Sequence, residues 1–353
     1  MTNTTIETIG CDLGDKRTEI CVLDAEGKVK VRTSVRTTRH WMRTFFTRAA
    51  AHVIIEVGGH SRWVNELLRE LGHRVTVANP RRVQLIAASD NKTDDHDAEL
   101  LARLGRADVK LLAPIQHRGS ETQRHLAVAR SRDVLVATRT KLVNHVRGML
   151  KSFGEQLPKC STESFARKTR PLLPEPLRPA LDPVYEVLIR LDEQIKDQDK
   201  QIDRIAARIA DVQVVSQIAG VGTLTGLVYV STIEDKSRFG KSRMVGAFLG
   251  LRPRKKKSGG SDPQLRITKA GDPFLRRLLV NAANYVLGPF GPDSTLKQWG
   301  LTLAERGGKN AKKRATIAVA RKLAVLMHRL WVTGEVYEPL GYQSRRTEST
   351  AAA

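Results

Sequence analysis

A chain of 353 residues with 41% hydrophobic and 27% charged residues has globular composition and room for two or three domains. No apolar run approaches the ~18 residues of a membrane span, which excludes an integral membrane protein and predicts a soluble one. Cys11, Cys21 and Cys160 form no metal or disulfide spacing, and Met1 to Glu7 lacks the order of a signal peptide, so a reducing cytoplasm is expected.

The formal net charge is +23, unevenly spread. Residues 1–115 hold 18 Lys and Arg against 15 Asp and Glu, whereas residues 236–332 hold 22 against four. Such a density repels itself unless a polyanion neutralises it, and nucleic acid is the natural one. The protein is thus expected to be nucleoid-associated.

In chain order, Ile6 to Leu13, Arg17 to Leu23 and Val29 to Val35 read as three antiparallel strands. A helix through Trp41 to Ala50, the strand HVIIEV, a helix over 61–71, the strand RVTVANP and a further helix follow. The order βββαβαβα predicts a ribonuclease H-like layer architecture over residues 1–115. Asp12 ends the first strand and Glu56 lies near the end of VIIEV, where open sheets place ligands. In NKTDDHDAELLARL, Thr93 or Asp94 caps a helix, and Asp94 and Asp97 share one face. Acids in a first helical turn also favour the helix dipole, which by itself accounts for many such clusters. Convergence of Asp12, Glu56, Asp94 and Asp97 instead calls for a divalent cation, Mg²⁺ or Mn²⁺, held by oxygen donors.

From residue 116 to 213 the chain reads as helical. Val184, Leu188, Leu191, Ile195, Gln198, Ile202, Ile205, Ile209 and Val212 alternate spacings of four and three, a coiled-coil seam with an earlier helix over 121–153 as a partner within or between chains. Residues 214–335 open with an apolar stretch around Gly220-Val221-Gly222, a helix-hairpin-helix pattern able to hold a phosphate. Arg252, Arg254, Lys255, Lys256 and Lys257 then precede Ser258-Gly259-Gly260-Ser261, with a helix from about Asp272. These cations, with Lys269, Arg276, Arg277, Lys312 and Lys313, are the candidate nucleic-acid contacts. Residues 336–353 read as a disordered tail.

IGCDLGDKRTEICVLD, VIIEVGGHSRWVNELLRELGHRVTVANP, NKTDDHDAELLARL, IAGVG and FLGLRPRKKKSGGSDPQLRITKAGDPFLRRLL resemble, in order, the blocks of the DEDD transposases of bacterial insertion sequences, the RNA-guided bridge recombinases. The resemblance spans residues 6–332. It implies a RuvC-like metal domain, a coiled-coil segment and a C-terminal transposase domain carrying a serine. The family's metal quartet maps onto Asp12, Glu56, Asp94 and Asp97, and its nucleophile onto Ser258, with Ser261 as the rival because a single serine precedes Gly-Gly here. EVGG stands where E-x-T-G is commoner. The implied reaction exchanges donor and target DNA strands through a 5′-phosphoserine link. A structured noncoding RNA selects both DNAs, and the protein works as a dimer or tetramer. A RuvC-like resolvase using water as nucleophile is the alternative. A sugar-kinase or actin-like fold lacks its later glycine-rich phosphate block here.

Overall fold

The computed structural model describes residues 6–86, 94–256, 259–261, 263 and 265–340, giving the backbone alone for 84–86, 94 and 95. The chain divides into two compact units, residues 1–117 and 118–353.

The first unit is a mixed α/β layer. Its elements are β1 Thr8–Leu13, β2 Arg17–Leu23, β3 Val29–Arg36, α1 Arg39–Phe46, β4 His52–Glu56, α2 Ser61–Glu70, β5 Arg74–Ala78, α3 Pro80–Ile86 and α4 Asp94–Ala107. The five strands lie in the order β3-β2-β1-β4-β5. The first three are antiparallel hairpin neighbours, while β4 and β5 run parallel to β1. This is the βββαβαβα order expected from the hydrophobic patterning, with α4 added. Two helices cover one face: Met42 and Phe46 of α1 and Val64, Leu67 and Leu68 of α2 bury against Ile9, Cys11, Ile20, Val22, Val53 and Ile55. The opposite face receives α4, whose Ala98 and Ala102 pack on Cys21 and Leu23, and whose Leu101 packs near Ile54 and Ala78. Both faces being covered explains why β1 and β4 read as nearly continuous apolar runs. Helix α1 starts two residues earlier than the sequence pattern suggests, because the Thr38 side chain accepts from Trp41 N–H and caps it.

The second unit is helical among its described residues: α5 Ser120–Ser152, α6 Phe165–Thr169, α7 Arg178–Ala207, α8 Ala210–Val215, α9 Thr223–Ile233, α10 Arg243–Phe248, α11 Pro273–Leu287, α12 Thr295–Glu305 and α13 Ala311–Thr333. Helices α5 and α7 lie antiparallel within the one chain: Arg132 bonds Asp199 at 2.8 Å, Arg139 bonds Asp192 at 2.7 Å, and Val146 joins Tyr185 in one core. The buried row of α7 is Leu181, Leu188, Ile195 and Ile202, with Val184, Leu191, Gln198 and Ile205 only half-buried. The helix ends at Ala207, short of the end of the predicted seam, because Ile209 turns to extended backbone and caps a new helix from Ala210, whose Val212 joins the main core. That core is made by α8, α9, α11 and α13, with Tyr229 donating to the Ala324 carbonyl at 2.6 Å. No helix of the described residues is long and apolar enough to cross a membrane.

Candidate active site

The acids at the sheet end are positioned by glycine. A Cβ on Gly10 would lie 2.0 Å from the Ala98 carbonyl oxygen and 2.6 Å from the Ala102 nitrogen, so the absent side chain is what lets α4 lie on β1. A Cβ on Gly105 would fall 2.3 Å from Cγ1 of Ile54, which fixes Ile54 on the same face. Side chains alternate along a strand, so Asp12, two beyond Gly10, and Glu56, two beyond Ile54, also project toward the α4 face. Gly10 is the parallel partner of Ile54. Continued by two residues, that register sets Asp12 and Glu56 side by side at the C-terminal ends of adjacent strands.

Helix α4 brings its own acids to the same end. Its C-terminal Arg106 donates to the Asp24 and Ala25 carbonyls, just after Leu23, which pairs with the opening residue of β1. The N-terminus of α4 therefore points toward Asp12. Asp97 is half-buried and shares a helix face with buried Leu101 four residues on. Asp94 is the first residue of α4, one turn before Ala98; its side chain lies outside the described residues. Glu99 does a different job. Burial pushes its carboxyl up, but Arg103 and Arg32 together outweigh this and hold it below the usual carboxylate range, tying α4 to β3. His96 is exposed.

The donors at this end are all carboxylate oxygens, a hard set that fits Mg²⁺ or Mn²⁺ and not a thiophilic metal. Cys11, buried one residue before Asp12, has its thiol pushed far up by burial and is an apolar core residue, not a ligand. Among the described residues no three His, Cys, Asp or Glu side chains close into a metal-binding group. Asp12 and Glu56 lie at one end and on one face of the layer, and the N-terminal turn of α4 that carries Asp97 points toward that end.

In the second unit the basic segment is held by a short ladder. Arg254 N–H donates to the Arg266 carbonyl at 2.9 Å, Thr268 N–H to that of Arg252 at 2.9 Å, and Lys269 N–H to that of Gly250 at 3.1 Å. Pro253 and Ile267 form an antiparallel bridge between them. At the base, Gly250 has φ +70°, and a Cβ there would meet the Ala270 backbone at 2.2 Å. Arg252, Arg254, Lys255 and Lys256 are exposed on one arm, and so are Gly259, Gly260 and Ser261 beyond it. Lys257 and Ser258 lie outside the described residues. Lys269, Lys312 and Lys313 are exposed, the last two in the first turn of α13. Arg276 is instead half-buried and donates to the Leu249 and Ala270 carbonyls at 3.0 and 2.7 Å, bracing the base of the ladder. Arg277 pairs with Asp133 and lies over Phe274. Between α8 and α9, Gly220 has φ +91° and Gly222 precedes the first residue of α9. A cavity of about 500 Å³ opens there, lined by these glycines, Thr225, Asn281 and Tyr285.

Sequence reasoning found the acids but not Gly10 and Gly105, whose only signal was small residues where a strand and a helix would otherwise carry bulk.

Comparison with known proteins agrees with this layout. A DEDD-type IS110 transposase model matches residues 9–154, and the model described as "Transposase IS116/IS110/IS902 family" matches residues 212–295. The transposase for insertion sequence element IS1111A of Coxiella burnetii is 29% identical over 94% of this chain and 91% of its own length. The "Probable family 20 transposase" of Pseudomonas aeruginosa is 28% identical over 95% and 99%. The transposase for IS1328 of Yersinia enterocolitica is 29% identical over 80% and 84%. With both family models matched in order along its length, this chain belongs to the IS110 family of DEDD transposases.

Proposed function

We propose that this DNA transposase exchanges donor and target strands under the direction of a structured noncoding RNA, with Ser258 as nucleophile and Asp12, Glu56, Asp94 and Asp97 as the metal-holding quartet. The observation that carries the reading is the shared end and face of Asp12, Glu56 and the N-terminus of α4, set by Gly10 against Ala98. A DEDD domain uses divalent metal, and these four carboxylates would hold Mg²⁺ or Mn²⁺, which supplies positive charge against the phosphate under attack.

In the proposed step the Ser258 hydroxyl oxygen bonds to phosphorus as its proton leaves. The bond from phosphorus to the 3′ oxygen breaks, freeing a 3′-hydroxyl and leaving a 5′-phosphoserine. A 3′-hydroxyl of the other DNA then attacks, the phosphorus–Oγ bond breaks, and the serine regains its proton. Each step conserves one phosphodiester-type bond, which hydrolysis would not. The exposed cations Arg252, Arg254, Lys255 and Lys256, with Lys269, Lys312 and Lys313, neutralise nucleic-acid phosphates. The proposed division of labour is a metal domain over 1–115, a helical and coiled-coil segment over 116–213, and a basic transposase domain over 214–335 whose Gly220–Gly222 turn contacts phosphate. Assembly as a dimer or tetramer belongs to the same proposal.

The test is a denaturation-resistant adduct. With cognate RNA, DNA and Mg²⁺, wild-type protein is expected to yield one at Ser258, and Ser258→Ala neither adduct nor recombinants, while Ser261→Ala retains both. An adduct lost only in Ser261→Ala moves the nucleophile three residues. Free cleaved ends without adduct in any variant would replace the reading with a water-using resolvase.

A further inference from the structure

The first unit carries a cationic and aromatic surface beside its acidic end. Strand β3 runs parallel to β1, so α1 begins at the end of the sheet that holds Asp12. Thr37 fixes it there: its N–H donates to the Lys16 carbonyl at 3.0 Å and its hydroxyl to the Gly14 carbonyl at 2.8 Å. Because Met42 and Phe46 turn into the core, Arg39, His40 and Trp41 in the first turn of α1, and Arg43 and Thr44 beyond them, are left exposed.

Trp41 is 44% exposed, a large apolar area to leave in water, and is braced edge-on by His40 at 5.5 Å. Arg39 lies over the ring of Trp63 at 5.6 Å. Lys16, Arg36 and Arg39 are exposed and have no carboxylate partner among the described residues. The acid nearest them in sequence, Asp15, is engaged by His60 at 3.4 Å. His60 accepts the Trp63 indole N–H at Nδ1, so its proton sits on Nε2, toward Asp15. By contrast Arg43, on the same helix, is neutralised by Glu70.

Unpaired cations interleaved with an open indole suit neither a core nor a protein partner of ordinary charge. Unpaired DNA satisfies both halves: phosphates take the cations, and an unstacked base lies on the ring. Duplex DNA offers no base face. We infer that Lys16, Arg36, Arg39 and Trp41, at the Asp12 end of the sheet but on its α1 side, across from the face toward which Asp12 and Glu56 project, form a clamp for a single-stranded stretch of the DNA substrate. That the bound strand leads to the scissile phosphate rests on the proposed carboxylate site; the binding of single strands does not.

The experiment is therefore run in EDTA with the full chain, so that it reads binding without cleavage. Fluorescence anisotropy is recorded with oligodeoxythymidine, oligouridine and duplex DNA, at salt high enough to weaken the general phosphate attraction. Trp41→Ala is expected to weaken oligodeoxythymidine binding about fivefold or more, as removal of one stacked base would, and Arg39→Ala, which removes a phosphate contact, to weaken it measurably as well. Duplex affinity stays within about twofold, and Trp41→Phe, which keeps a stacking ring, recovers most of the affinity. Trp41 is at the surface, and an unchanged circular dichroism spectrum and melting temperature verify that the variants fold. Unchanged single-strand affinity, an equal weakening on duplex, a weakening confined to oligouridine, or a change only in oligomeric state would each overturn the clamp.

Discussion

Residues 1–115 and residues 236–332 differ in the way their charges are held. In the first, basic and acidic residues nearly balance, and the acids of interest are fixed by close packing with no slack, such as Gly10 against the Ala98 carbonyl. In the second, 22 basic residues face four acids, and Arg252, Arg254, Lys255 and Lys256 stand exposed on the arm of a ladder. One region works by position and the other by total charge. The first is expected to fail all at once under a single change, the second in graded steps.

The sharpest way to break this contrast is Asp12→Ala or Glu56→Ala. Removing one carboxylate from the proposed metal-holding set is expected to lower strand cleavage about a thousandfold or more, several kcal/mol of transition-state stabilisation. Nucleic-acid binding measured by mobility shift is retained, because removing negative charge does not weaken the hold on phosphate. Cleavage within about tenfold of wild type would remove the site and the contrast with it.

The counterpart in the basic region is the joint replacement of Lys255, Lys256 and Lys257 by Ala. Here the salt dependence of binding is expected to flatten by up to about three units of slope, at roughly 0.7–0.9 for each phosphate no longer neutralised, with each single variant giving a fraction of that. A single lysine producing the whole effect would show that this region too works by position.

The smallest effect comes from a buried histidine of the second unit. His328 accepts from the Ser242 hydroxyl at Nδ1 and donates from Nε2 to the Lys236 carbonyl, at 3.0 and 3.1 Å. Burial lowers its pKa from 6.5, only partly opposed by the Lys236 bond. Below 6.5 the unfolded chain therefore binds a proton that the folded one resists. The contribution is full above 6.5 and is lost as the pH falls from there toward the folded value. The melting temperature is expected to drop over that interval by more in wild type than in His328→Gln; equal slopes would show that the group is silent.

The parts of the molecule legible in the sequence were those that follow a local period. Short apolar runs gave β1 and β4, alternation gave β2, and the strand ends gave Asp12 and Glu56. A heptad pattern gave α7 but ran on through Ile209 and Val212, because periodicity does not record that Val212 leaves the hairpin for the core of α9 and α13. Long-range fit stayed hidden: nothing local to Gly10 says that a helix nearly ninety residues later lies on it. Trp41 read as a helical residue and nothing more, since its exposure depends on which face Met42 and Phe46 take into the core.

The absent side chain at Gly10 also bears on how copies of such an element decay. A glycine codon becomes an alanine codon by one nucleotide change, and here the added methyl carbon would fall 2.0 Å from a backbone oxygen. The resulting chain keeps every acid and every lysine, so by its residue inventory it passes as intact. Its α4 no longer seats as it does here, while the basic residues proposed to hold nucleic acid are unchanged. A genome carrying one active and one such copy would thus hold a competitor of its own transposase, arising in a single mutational step.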